Sequence, residues 1–189
     1  MLKSIILAAL TFIAIALTGC TNDYRPASSW ERSVYQTARK DAFPNQVRDQ
    51  PGNYSNTLVA WVGLLVSGNI HNEDPDHPYV SLVVEHHYYD WLEDHSTQRQ
   101  RYFLSPRGEG QFRCIWPLKK EWNLDEMRRL IVPGDMMVVY GTPHDGGVTI
   151  DLGEARYVRE IPASLVATDI LDYGRPGEPS RILRTAITQ

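Results

Sequence analysis

The sequence predicts a mainly β protein: five strands closed into a barrel, one helix between the third and fourth strands, and one short helix ahead of the first. Three observations predict it. From residue 57 onward apolar residues recur at period two or in runs of strand length. Clusters of Gly, Pro and Asn bound those runs. Within this region the period lengthens to that of a helix only once, after Trp122. The chain has 189 residues, enough for one core with arms and no more than one domain of ordinary size.

Ser28 and Glu31 stand at capping-box spacing, and Trp30, Val34 and Ala38 repeat on one helical face. The first helix is therefore expected over about Ser29 to Lys40, either docked on the barrel domain or standing loose as a stalk. Residues 42–56 carry Pro44, Pro51 and Gly52, the chemistry of turns and linkers. Leu58 to Val66 is β-branched and aromatic, with Gly63 marking a bulge or bend. Tyr79 to Tyr89 forms a second strand whose two faces both carry apolar residues, and Trp91 to Gln100 is charged and turn-like. A third strand begins at Tyr102-Phe103-Leu104, is interrupted from Ser105 to Gly110, and resumes from Gln111 to Trp116. Asn123 then caps a helix with Glu126 at its third position. Leu124, Met127, Leu130 and Ile131 share one face of that helix, and Pro133-Gly134 ends it. Met136 to Tyr140 is the fourth strand. Val148 to Leu152 with Ala155 to Val158 is the fifth, broken at Gly153.

Three strands, a helix and two strands is the element order of an OB-like Greek-key barrel; an open α+β sheet with the same elements is the alternative. The expected organisation is a leader over 1–19, a tether with a short helix over 20–56, the barrel over 57–160, and a C-terminal arm over 161–189.

The leader has the form of a secretory signal. Lys3 is its basic region, and the largely apolar stretch from Ile5 to Leu17 is shorter than the roughly 20 residues a spanning helix needs. Its end, Leu17-Thr18-Gly19-Cys20, resembles the lipobox of bacterial lipoproteins. That resemblance implies cleavage before Cys20 and acylation of Cys20, a covalent lipid in place of any other cofactor. Two or more acyl chains hold a protein stably on a bilayer. In enterobacterial lipoproteins an aspartate after the cysteine marks inner-membrane retention; Thr21 stands here, so the outer membrane, periplasmic face, is the implied address. Three further stretches, Trp61-Val62-Gly63, Gly108-Glu109-Gly110-Gln111-Phe112 and Pro133 to Gly141, resemble the Slp family of outer-membrane lipoproteins. The family pairs a lipobox with an OB-like barrel and has no agreed enzymatic activity. The implied function is a non-catalytic structural or accessory binding module of the cell envelope.

The net charge is −4, one unit more negative once Lys3 leaves with the leader. Whole-chain acidity argues for an envelope protein or a glycan as partner beside the membrane, and against nucleic acid, whose binding proteins carry basic patches. Cys20 and Cys114 are the only cysteines. With the first acylated no disulfide remains, and Cys114, in an apolar alternation, reads as a small core residue.

Two stretches offer candidate sites. OB barrels hold ligands on their second and third strands, which points to Tyr88, Trp91 and Arg107 as a contact surface. The alternative is a metal site in the stretch 71–95, which holds five of the six histidines. His71, His86 and Asp90 would be its ligands, imidazole and carboxylate suiting zinc, copper or nickel. No nucleophile elbow, phosphate loop or separated carboxylate pair is present, so no enzyme is indicated.

Overall fold

In the computed structural model, residues 21–94, 101–144 and 149–167 are described. The leader, Cys20 and the arm beyond 167 lie outside them. Among the described residues the fold is mainly β, but with ten strands rather than five. They are β1 (Thr21–Asp23), β2 (Val59–His71), β3 (Tyr79–His86), β4 (Tyr89–Asp94), β5 (Arg101–Leu104), β6 (Gln111–Pro117), β7 (Met136–Gly141), β8 (Ile150–Glu154), β9 (Tyr157–Ile161) and β10 (Val166–Ala167). The helices are α1 (Ser29–Thr37), α2 (Pro44–Asp49) and α3 (Leu124–Leu130). No described helix is long and apolar enough to cross a membrane.

A six-stranded sheet runs β8-β6-β3-β2-β7-β9. Its two edges are consecutive in the chain, because the run from Ile150 to Ile161 bends between them. At the bend Ala155 N donates to Ile115 O on β6 (2.7 Å), and Arg156 N donates to Tyr140 O on β7 (2.8 Å). The sheet thus closes on itself, with β8 parallel to β6 and β9 antiparallel to β7. Gly153, at φ +57°, supplies the left-handed residue of that bend, a conformation only glycine adopts without strain.

Inside the closed sheet sit Trp61 and Leu65 of β2, Val80, Leu82 and Val84 of β3, Phe112 and Cys114 of β6, Met137 and Val139 of β7, and Leu152 of β8. These alternate along their strands as the period of two requires. Met127 of α3 closes one end. Asn123 caps α3 as expected, its side chain accepting from Asp125 N at 2.9 Å. Burial pushes the Cys114 thiol up to about 12, with the Asp151 charge adding to it.

A second core lies on the outside of the same sheet. Ala60 and Val62 of β2 and Met136, Val138 and Tyr140 of β7 pack there against Tyr24, Val34, Ala38, Tyr89, Tyr102 and Leu104. The covering layer is α1 with a four-stranded sheet, β1-β4-β5-β10. This is why β7 is apolar at five successive positions and buried at all six: it faces a core on both sides.

Four expectations are corrected by this arrangement. The run from Tyr79 to Tyr89 is two strands in different sheets, and so is the predicted third strand, since β5 and β6 diverge across Ser105–Gly110. The turn-like stretch from Trp91 begins as part of β4. The bulge in β2 falls between Leu65 and Ser67, whereas Gly63 lies against β3. The reason is common to the first three: alternation reports two faces but not which sheet a strand joins. Residues 42–56, expected as linker, include α2, which starts at Pro44 with its fixed φ. The first helix ends at Thr37, and it docks.

Candidate functional site

Two sets of side chains stand out, one buried and one open. The buried set is a clasp that joins the N-terminal segment to the barrel. Glu31, on the first turn of α1, is fully buried. Tyr24 Oη donates to its Oε1 at 2.5 Å and Tyr140 Oη at 3.0 Å, while Ala27 N donates to Oε2 at 2.5 Å. Ser28 Oγ accepts from Glu31 N (3.0 Å), so the predicted cap forms. Arg159 on β9 supplies the counter-charge, its Nη1 lying 3.8 Å from Oε2. It also donates to the hydroxyls of Tyr24 (2.9 Å) and Tyr102 (2.8 Å). Burial first, then neighbouring charges including Glu31, hold the Tyr24 and Tyr140 phenols well above their ordinary range. Both phenols therefore keep their protons and donate them to Glu31 Oε1.

The expected contact surface of Tyr88, Trp91 and Arg107 is mostly occupied by the chain itself. Tyr88 is only 7% exposed. Its hydroxyl donates to Glu109 (2.6 Å) and its ring meets Phe43 edge-on at 5.3 Å. Glu109 also accepts from Asn45 N at 2.7 Å, which ties α2 to the barrel. Trp91 packs against Tyr24 at 5.2 Å and Tyr35 at 5.5 Å. Its φ of 57° is an uncommon conformation for a bulky residue, and its carbonyl accepts from Tyr24 N (2.8 Å). Arg107 is exposed, the one member of the three that faces solvent. The two rings pack on Tyr24, Tyr35 and Phe43 of the chain's own N-terminal segment.

The expected metal ligands are not brought together. His71 pairs with Tyr79 at one end of the β2–β3 ladder, and His86 pairs with Gly63 at the other. Seven residues at about 3.3 Å each put these ends on the order of 20 Å apart, too far for one ion. His71 stacks on Tyr79 at 4.5 Å and meets Ser81 Oγ at 2.9 Å. His86 is buried and its Nδ1 accepts from Glu109 N at 3.2 Å. Burial, then the neighbouring His87, pushes its pKa down to about 3, so it is neutral near pH 7. Asp90 is exposed on β4. Among the described residues no three His, Cys, Asp or Glu side chains converge; His95 lies outside them.

One carboxylate pair went unnoticed in the sequence. Glu160 on β9 shares a hydrogen bond with Asp135, which also accepts from Ala163 N at 2.8 Å. Burial, then the Asp135 charge and that hydrogen bond, push Glu160 up to about 7.

The open set is a groove at the α3 end of the barrel. Trp116, at the end of β6, and Trp122, just before α3, meet edge to face at 6.0 Å and 78°. They form a shared wall between two hollows. One, of about 430 Å³, runs along α3 past Asn123 and Leu130. The other, of about 580 Å³, extends past Lys119 and Arg156 to Tyr157 and Trp30. Both volumes fall in the range of ligand sites, about 300–1,000 Å³. Trp30 is 59% exposed, although the sequence put it on the docking face of α1. The buried positions are Glu31, Val34 and Ala38, at i, i+3 and i+7. Lys119 Nζ lies 5.9 Å from the Trp122 ring centre. The sequence signal for this groove was two tryptophans on either side of the Lys120–Glu121 turn; nothing local links them to Trp30 or Tyr157.

No family model matches the chain, and no curated protein matches it. Among solved structures, two of the protein PriB from Ralstonia solanacearum are similar at 13% and 12% identity. They cover 55% of this chain and 95% and 96% of their own, each with a TM-score of 0.32. One expectation, that nucleic acid is excluded as a partner, is withdrawn beside these neighbours. The exclusion rested on net charge, which describes the whole chain and not a local surface. At that TM-score the likeness carries no argument about what this chain binds.

Proposed function

We propose that this protein is a lipid-anchored lipoprotein of the outer membrane whose body is an OB-like barrel acting by binding rather than catalysis. The anchor reading rests on Leu17-Thr18-Gly19-Cys20 at the end of a short apolar leader, the pattern that resembles a lipobox. The OB-like reading is supported by connectivity. The long β2 pairs with both β3 and β7, a helix comes after β6, and the bent run of β8 and β9 joins parallel to β6 and antiparallel to β7. Counted this way, β8 and β9 are the two halves of the predicted fifth strand, and β1, β4, β5 and β10 are additions that cover the barrel's outside.

The observation that carries the binding reading is the tryptophan groove. Soluble proteins rarely leave large aromatic rings together at a concave surface unless it meets something, and the second core buries most of the other rings. The anchorless Cys20→Ala protein tests it. It is expected to lose the lipid label and leave the detergent phase, yet to sediment with envelope fragments through the groove. Adding Trp30→Ala and Trp122→Ala should then release it. Sedimentation that survives those two changes, or that never occurs without the lipid, refutes the reading.

A further inference from the structure

We infer that the groove takes a neutral oligosaccharide chain, stacked on Trp116 and Trp122 and continuing toward Trp30. This inference rests on the binding reading above and names the ligand class of the same site.

The argument is one of matching chemistry. Two hollows on either side of one indole pair make consecutive subsites along an open path, which suits a chain of rings rather than an enclosed small molecule. A sugar ring has an apolar C–H face and a rim of hydroxyls. Indole rings offer large flat apolar surfaces of low conformational cost for the first, and the groove's edge answers the second. Lys119 and Arg156 offer donors there, whereas the carboxyl oxygens of Glu121, Glu126 and Glu154 offer acceptors. Hydroxyls do both, so each edge group finds a partner with no charge required of the ligand. Asn123 spends its carbonyl oxygen on the α3 backbone, accepting from Asp125 N and Glu126 N. That leaves its amide N–H groups as donors beside Trp122.

The mixed edge also disfavours the alternatives at this groove. A strand carrying one sign of charge meets edge groups of its own sign whichever sign that is. A wholly apolar segment would strip water from the carboxylates and cations without pairing them.

Tryptophan fluorescence and calorimetric titration of the full chain in a zwitterionic, sugar-free detergent test the inference. The probes are the β-1,4-linked hexamers of N-acetylglucosamine and of glucose, with an oligothymidylate and a leucine-rich peptide as competing classes. Saturable binding of at least one hexamer is expected, weakened at least tenfold by Trp122→Ala. Trp30→Ala guards against a folding artefact, since that side chain is mostly in solvent, and it too should weaken binding. No binding of either hexamer, or binding untouched by both substitutions, overturns the inference, and so does binding of the oligothymidylate or the peptide in their place. If the hexamers fail while the tryptophan substitutions still release the anchorless protein from envelope fragments, the glycan assignment falls and the binding module stands. If those substitutions release nothing, both fall.

Discussion

Replacing Glu31 by Ala should loosen the N-terminal segment from the barrel and destabilise the whole protein. The substitution removes the acceptor of three hydrogen bonds, from Tyr24 Oη, Tyr140 Oη and Ala27 N, and takes away the carboxylate that faces Arg159. Hydrogen bonds to a charged group contribute about 1.5–3 kcal/mol each, but those gains are offset by the cost of burying the carboxylate. Deleting one partner of a buried pair costs about 3–5 kcal/mol when the other charge is stranded. Arg159 is not wholly stranded, because it keeps the hydroxyls of Tyr24 and Tyr102 and the Arg25 carbonyl. The lower end, about 3 kcal/mol, is therefore expected, a large part of a typical domain's 5–15 kcal/mol. With a urea m-value of about 2 kcal/mol per molar, the unfolding midpoint should fall by about 1.5 M. Tyr140→Phe alone should cost about 1–2 kcal/mol, and the double variant should cost less than the two singles added, since both remove the same bond. A midpoint for Glu31→Ala within about 0.3 M of the parent, or strict additivity with Tyr140→Phe, would refute the clasp as a source of stability.

Three more outcomes are expected. Glu160 binds its proton more tightly when folded, at about 7, than when unfolded, near 4.3. Stability should therefore decline as pH rises through that window, by on the order of 1 kcal/mol after solvent screening, and Glu160→Gln should flatten the decline in urea midpoints between about pH 5 and 8. His86 runs the other way. Its folded pKa of about 3 lies below the unfolded value near 6.5, so the stability it contributes is complete above pH 6.5 and lost as pH falls toward 3. His86→Gln should remove most of that acid limb; an unchanged limb would assign it to other groups. Finally, a Cβ on Gly108 would lie 1.5 Å from His86 O, whereas one on Gly52 meets nothing within 4 Å. Gly108→Ala should cost about 3 kcal/mol and Gly52→Ala less than about 0.5 kcal/mol, and equal thermal transitions for the two would contradict the close approach of this loop to β3.

The limits of the sequence reading have a single physical origin. Hydrophobic period is local, and it located β2, β3, β6, β7 and α3 because each buries a regular face. It could not tell that Tyr89 leaves the sheet of Val84, for the alternation is the same on either side of His87. Tyr88 and Trp91 were picked out as aromatic and clustered, which they are. Whether such rings meet a partner or the chain's own α1 and α2 depends on where residues 24–49 go. His71 and His86 looked close because only fourteen residues lie between them in sequence; the hairpin register sends them to opposite ends.

By itself the sequence determined the mainly β character, the caps of α1 and α3, and the apolar runs that had to be buried on both faces. These are set by propensity and by period, which neighbouring residues establish among themselves. Only the tertiary structure decided what covers the barrel's outer face, that Glu31 finds Tyr140 across 109 positions, and that Trp30, Trp116, Trp122 and Tyr157 line one groove. Those meetings depend on how the strands of the closed sheet are ordered and on which face α1 lies, and no local pattern encodes the distance between residues that only closure brings together.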